Sequence, residues 1–152
     1  MTPVENIYAR ISAIIEDHTY CKLPDEDIEF LFKNFLESAI IYFKEFNNKY
    51  KPIIVESEYG ELYIKKTKNT EDGDGLDLEE EVILAHGMII SWHKSKILRD
   101  KFLKQNLNTG DFNRLSNATM LANNITLYDV LYKEFIKLRR RYRNRDWSGD
   151  DL

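Results

Sequence analysis

EEEVILAHGMIISW (Glu79–Trp92) and, about twenty residues on, DFNRLSNATMLANN (Asp111–Asn124) decide the fold of this chain. The first run opens on carboxylates, which suit the positive end of a helix, and becomes apolar within one turn. Asp77-Leu78-Glu79-Glu80 places an Asp cap three residues before a Glu, the reciprocal pattern that satisfies two helix-start amides. Val82, Ile83, Ala85, Ile89, Ile90 and Trp92 make this a core helix. Gly87 in its middle costs about 1 kcal/mol relative to Ala, which predicts the close approach of a second helix there. The amphipathic pattern weakens after Lys94, and Gln105–Asp111 reads as loop. The second run begins another helix near Phe112–Ser116 that continues to about Arg145, roughly 45–50 Å of rise. Leu121, Ile125, Leu131, Phe135, Leu138 and Tyr142 are its apolar residues, and its length predicts an overhang beyond its own bundle.

Upstream, Thr2-Pro3-Val4-Glu5 reads as a capping box with Pro at the first helical position. Val4, Ile7, Tyr8, Ile11, Ile14 and Ile15 then form one stripe ending near His18. A second helix starts at Pro24–Asp27 and runs through Ile28, Leu31, Phe32, Phe35, Leu36, Ala39, Ile40 and Phe43 to about Phe46. Its stripe is broad and rich in Phe, which predicts burial on more than one side. Between these helices and the core helix, Ile53-Ile54-Val55 and Leu62-Tyr63-Ile64 flank a turn containing Tyr59-Gly60, so a β-hairpin is expected at about 51–66. A lone hairpin is marginal in water and must lean on helices or on another chain. Residues 69–77 read as an acidic, Gly-rich mobile loop. The expected architecture is mainly α: one domain over 1–152, a four-helix bundle with a long last helix. The hairpin and acidic loop (51–77) are inserted between helices two and three, and a flexible tail occupies 146–152.

With 152 residues, 32% charged and 43% hydrophobic, the chain fits one globular domain. Cys21 has no second cysteine to pair with, which favours an intracellular assembly site. No apolar run approaches the ~20 residues of a membrane span, so no membrane partner is expected. The net charge of −4 divides unevenly: residues 1–90 hold 9 Lys/Arg against 19 Asp/Glu, and residues 91–152 hold 13 against 7. Such polarity favours head-to-tail contact between copies, or nucleic acid at the basic end.

The chemistry-bearing residues do not assemble into a catalytic or cofactor motif. His86 and His93 lie two turns apart, about 10 Å, too far for one metal ion. Asp72-Gly73-Asp74-Gly75-Leu76-Asp77 resembles a calcium loop, yet Leu76 stands where an oxygen ligand belongs and Asp77 where the invariant Gly belongs. No phosphate-binding Gly loop and no activated nucleophile setting occurs. Neither an enzyme nor a cofactor is expected.

The strongest charged feature is Lys137, Arg139, Arg140, Arg141, Arg143 and Arg145, six cations within nine residues. Two or three cations complement a helix C-terminus, but six exceed that need. Arginine's fork suits carboxylates and phosphates. The acidic start of the second helix, Asp25, Glu26, Asp27 and Glu29, offers a complementary surface on the same chain. Phe32, Phe35, Gly87, Trp92, Leu131 and Phe135 are expected to carry the packing.

LPDEDIEFLFKNFLESAIIYFKEF (23–46), EEEVILAHGMIISWHKSKI (79–97) and FLKQNLNTGDFNRLSNATMLANNI (102–125) together resemble the neck, or head–tail connector, proteins of tailed bacteriophages. The likeness is one of pattern and covers about residues 20–145. Two segments depart from it. Trp92-His93-Lys94-Ser95 stands where family members often carry a Pro, and Leu115-Ser116-Asn117-Ala118 where they carry Tyr-Ser-Gln-Ala. The resemblance implies a non-enzymatic virion component, assembled in the host cytoplasm. Its copies would form a ring, of about twelve, beneath the portal protein and beside other neck or tail-completion proteins. Genomic DNA would pass through the lumen without sequence recognition, and the hairpin or the 95–111 loop would meet the lumen or the next ring. The competing expectation is a small helical DNA-binding regulator that sets the same arginines on phosphates, with steep salt dependence.

Overall fold

In a computed structural model, the described residues are 1–12, 24–44, 51–67, 75–106 and 111–145, with the side chains of 44, 102–106 and 111–118 outside the description. The elements run β1 (Thr2–Pro3), α1 (Val4–Ser12), α2 (Asp25–Lys44), β2 (Pro52–Glu56), β3 (Leu62–Lys66), α3 (Leu78–Asn106) and α4 (Asp111–Asn144). The fold is mainly helical, with a small antiparallel sheet in the order β1-β3-β2. His18, Cys21, Phe46, Asp72–Asp74 and the 146–152 tail fall outside the described residues, as do the expectations placed on them.

The central helix is α3. Ile83, Leu84, Ala85, Met88, Ile89, Ile90, Trp92 and His93 are buried almost without interruption because α1, α2 and α4 all pack on it. Its start is the expected reciprocal cap: the Glu80 amide donates to Asp77 Oδ1 at 2.9 Å, and the Asp77 amide to Glu80 Oε2 at 2.8 Å. At Gly87 the expected close approach is present, since an added Cβ would stand 2.9 Å from Ala39 Cβ and 3.2 Å from Ala39 Cα. The helix continues to Asn106, so residues 95–106 are helical rather than part of a 95–111 loop. The pattern weakens there because α3 is flanked on fewer sides, leaving Lys94, Ser95, Leu98 and Arg99 exposed.

Hydrogen bonds at both ends fix α4 antiparallel to α3. Asn124 Nδ2 donates to Asp100 Oδ2 at 2.8 Å, and Tyr142 Oη donates to Glu80 Oε1 at 2.6 Å. With 29 residues α3 accompanies most of the 34 of α4, whereas α2 has 20 and α1 nine, so α3 and α4 together outreach the other two helices. In α2, Phe32, Leu36, Ala39, Ile40 and Phe43 are buried, but Phe30 is 66% and Ile41 58% exposed. α2 thus keeps one face exposed while it meets α3 along its length, α1 through Phe32, and α4 through Tyr42 and Phe43.

The hairpin forms in the expected place, with Ile54 opposite Ile64 and Val55 opposite Tyr63. Gly60 closes the turn with φ +82°, a conformation that costs an L side chain but not glycine. The N-terminal cap does not form as expected. Thr2 and Pro3 pair with Ile64 and Tyr63 as a third strand, and Thr2 Oγ1 accepts the Leu76 amide at 2.8 Å. The edge of β3 offers Thr2 backbone and burial together, and α1 starts after it at Val4. Thus the hairpin leans on α1 and α2 and gains a strand from its own chain.

Candidate functional site

The arginine run is divided by helix geometry. Along α4, Leu121, Asn124, Tyr128, Leu131, Phe135, Leu138 and Tyr142 recur every three or four residues, and all are buried or half-buried. Ile125, read as part of this stripe, is instead 37% exposed, and Asn124 takes the inward place because Asp100 satisfies its amide. At 100° per residue, Ile136, Arg139, Arg140 and Arg143 share one flank, and they line a surface depression of about 270 Å³. Lys137 and Arg141 lie on the opposite flank and are exposed. The Arg139 guanidinium sits 5.5 Å from the centre of the Phe135 ring.

Arg145 belongs to a different arrangement. It turns back over Tyr142, 4.3 Å from the ring centre, and its Nη1 reaches Asp77 Oδ2 at 2.7 Å and Glu79 Oε2 at 3.4 Å. Beneath it, the fully buried Glu80 meets Lys66 Nζ at 3.0 Å and accepts the Tyr142 hydroxyl at 2.6 Å. Burial pushes the Glu80 carboxyl above the ordinary carboxylate range, against the opposing pull of the Tyr142 hydroxyl, the Asp77 amide and Arg145. Burial, and then the hydrogen bond to Glu80, pushes the Tyr142 phenol up as well. Arg10 makes a further pair with Glu81 at 3.0 Å. Arg145 therefore serves as an internal clasp on the α3 start, with no share in the arginine-lined depression.

At the acidic end, Asp25, Glu26, Asp27 and Glu29 are all exposed on the first turns of α2. The Asp27 and Ile28 amides close on the Pro24 carbonyl at 3.0 and 3.2 Å. Ala39 lies at Gly87, and Phe43 and Tyr142 rings stand 5.9 Å apart, so α2 runs antiparallel to α3 and parallel to α4. The carboxylates thus sit at the end of the bundle away from the arginines, about 25 Å along its axis. Between α2 and α3 a second depression, about 330 Å³, is lined by Asn34, Phe35, Ser38 and Tyr42 with Ser91, Lys94, Ser95 and Leu98.

The packing residues hold their expected places. Phe32, Phe135 and Trp92 are buried, Phe35 and Leu131 half-buried, and Gly87 sits at the helix crossing. His93 is buried against Trp92, with ring centres 4.3 Å apart, and burial, helped by Lys96, lowers its pKa. His86 Nδ1 lies 2.9 Å from the Val82 carbonyl. Among the described residues, no three His, Cys, Asp or Glu side chains converge as metal ligands.

Reading by sequence missed the Lys66–Glu80–Tyr142 network. Lys66 ends an ordinary strand and Tyr142 falls on an apolar stripe, so only the Glu80 cap gave a local signal. No family model matches this chain, and neither a curated protein nor a solved structure matches it.

Proposed function

We propose that this chain is a structural subunit that assembles head-to-tail into a closed ring, a neck component of the head–tail connector kind that its central segments resemble. The observation that supports this most is the placement of two opposite charge surfaces at opposite ends of one antiparallel bundle: Asp25, Glu26, Asp27 and Glu29 on α2, and Arg139, Arg140 and Arg143 on α4. Rings require heterologous contacts, in which one patch meets a different patch on the next copy. Complementary charge sets register and partner choice in such contacts more than raw affinity. In this reading the portal and neighbouring neck proteins are the further partners, about twelve copies surround the DNA, and the subunit catalyses nothing.

Negative-stain imaging of the purified protein, at high concentration and low salt, tests the proposal. Closed rings with a central channel support it. A population that stays monomeric while binding duplex DNA, with affinity falling steeply as salt rises, overturns it in favour of the DNA-binding regulator.

A further inference from the structure

Resting on the ring reading, we infer that the depression lined by Ile136, Arg139, Arg140 and Arg143 receives the first two turns of α2 from the next copy, with Phe30 as the apolar anchor. Three observations converge on that occupant. First, the depression is mixed in character: among the described residues it is lined by three arginines and by the half-buried aliphatic side chain of Ile136. A purely phosphate-binding surface has no need of an apolar wall. A protein segment carrying both carboxylates and an apolar side chain does.

Second, the start of α2 has that composition. Asp25, Glu26, Asp27 and Glu29 are exposed, and among them Phe30 is 66% exposed on a helix whose other aromatic residues are buried or half-buried. Glu26, Asp27 and Phe30 lie one turn apart, so they project from one side. An exposed Phe amid carboxylates does nothing for the core of its own chain, whereas Phe is enriched at the buried centres of interfaces, with charge at the rim.

Third, the two surfaces cannot meet within one chain, because α2 runs parallel to α4 and holds its acidic turns at the far end of the bundle. Only a second copy can bring them together. Each copy then offers one patch and receives another, which propagates around a ring. Arg145, committed to Asp77 and Glu79, and Arg141 and Lys137, on the other flank, stay outside the contact.

The full chain carrying Cys21→Ser tests this in trans. One copy bears Lys33→Cys, one turn beyond Phe30, and a separate copy bears Lys133→Cys, one turn before Ile136, so the anchor and its wall stay in place. The two are mixed with a short bismaleimide. A cross-linked dimer is expected from the mixture, at least tenfold above a control in which Lys101→Cys replaces Lys133→Cys. Arg140→Glu and Arg143→Glu together on the Lys133→Cys copy should abolish it. Asp25→Lys, Glu26→Lys and Asp27→Lys on the Lys33→Cys copy should then restore it. Circular dichroism melts confirm that each variant folds. Ring formation by the unaltered chain without the 33–133 cross-link overturns this contact and leaves the ring reading standing. A chain that never self-associates overturns both.

Discussion

Gly87 of α3 rests against Ala39 of α2 so closely that the missing Cβ would lie 2.9 Å from the Ala39 methyl and 3.2 Å from its Cα. Gly87→Ala gains about 1 kcal/mol of helix propensity but forces two backbones apart, and overpacking of this kind costs about 1–3 kcal/mol. Because the Ala39 backbone itself is in the way, the steric cost prevails, and a net loss of about 1 kcal/mol is expected by chemical denaturation. Ala39→Gly in the same chain should recover part of it, and that recovery distinguishes crowding from a general weakness of α3.

Glu80 is held on three sides by Lys66, Tyr142 and the Asp77 amide. Glu80→Ala removes the buried carboxylate that Lys66 and Tyr142 both meet, and losses of about 3–5 kcal/mol follow the breaking of such buried pairs. Removing both charges, as Lys66→Met with Glu80→Leu, should cost clearly less than Glu80→Ala alone. Urea midpoints of the single and double variants measure the difference.

Burial keeps His93 below its ordinary value of 6.5. The unfolded chain takes up that proton at a higher pH than the folded chain, so stability is fully present above about 6.5 and is lost as pH falls below it. Glu80, raised above its ordinary 4.5, acts in the opposite sense at lower pH. Melting temperature should therefore drop between pH 7.5 and pH 5.5, and His93→Gln should shrink that drop.

Arg145 and the Arg139–Arg140–Arg143 face should separate cleanly in their effects. The Arg145 pairs with Asp77 and Glu79 are solvent-exposed, and such pairs contribute about 0.2–1 kcal/mol. Arg145→Ala should lower stability slightly and leave self-association unchanged. Reversal of the exposed Arg140 and Arg143 to Glu should leave the melt nearly unchanged and abolish concentration-dependent association. Analytical ultracentrifugation at two salt concentrations reads both, with wild-type association weakening at the higher salt.

What could be read in the sequence was whatever one element states by itself. The Asp77–Glu80 cap, the Gly87 crossing, the hairpin around Gly60 and the length of α4 are all written within a few turns of chain. The pairing of Thr2 with Ile64 is not, because a two-residue strand has no period to detect and its register comes from β3. Thr2-Pro3-Val4-Glu5 satisfied a cap pattern whose hydroxyl the distant Leu76 amide claims instead. The six cations from Lys137 to Arg145 look like one cluster in linear order, although 100° of turn per residue divides five of them between two flanks of α4 and Arg145, just past its end, forms the clasp. Phe30 falls off the apolar stripe read for α2, yet how far it stands open, 66% exposed, depends on where the neighbouring helices pack.

The knot of Lys66, Glu80 and Tyr142 also governs when this polypeptide becomes usable. A ribosome has released the strand and the first half of the central helix long before residue 142 emerges, and until then an acid and an amine must wait together without the phenol that completes them. A chain that lacks the last turns of the final helix therefore leaves the buried Glu80 carboxylate short of one donor, so the interior closes only when that helix is complete.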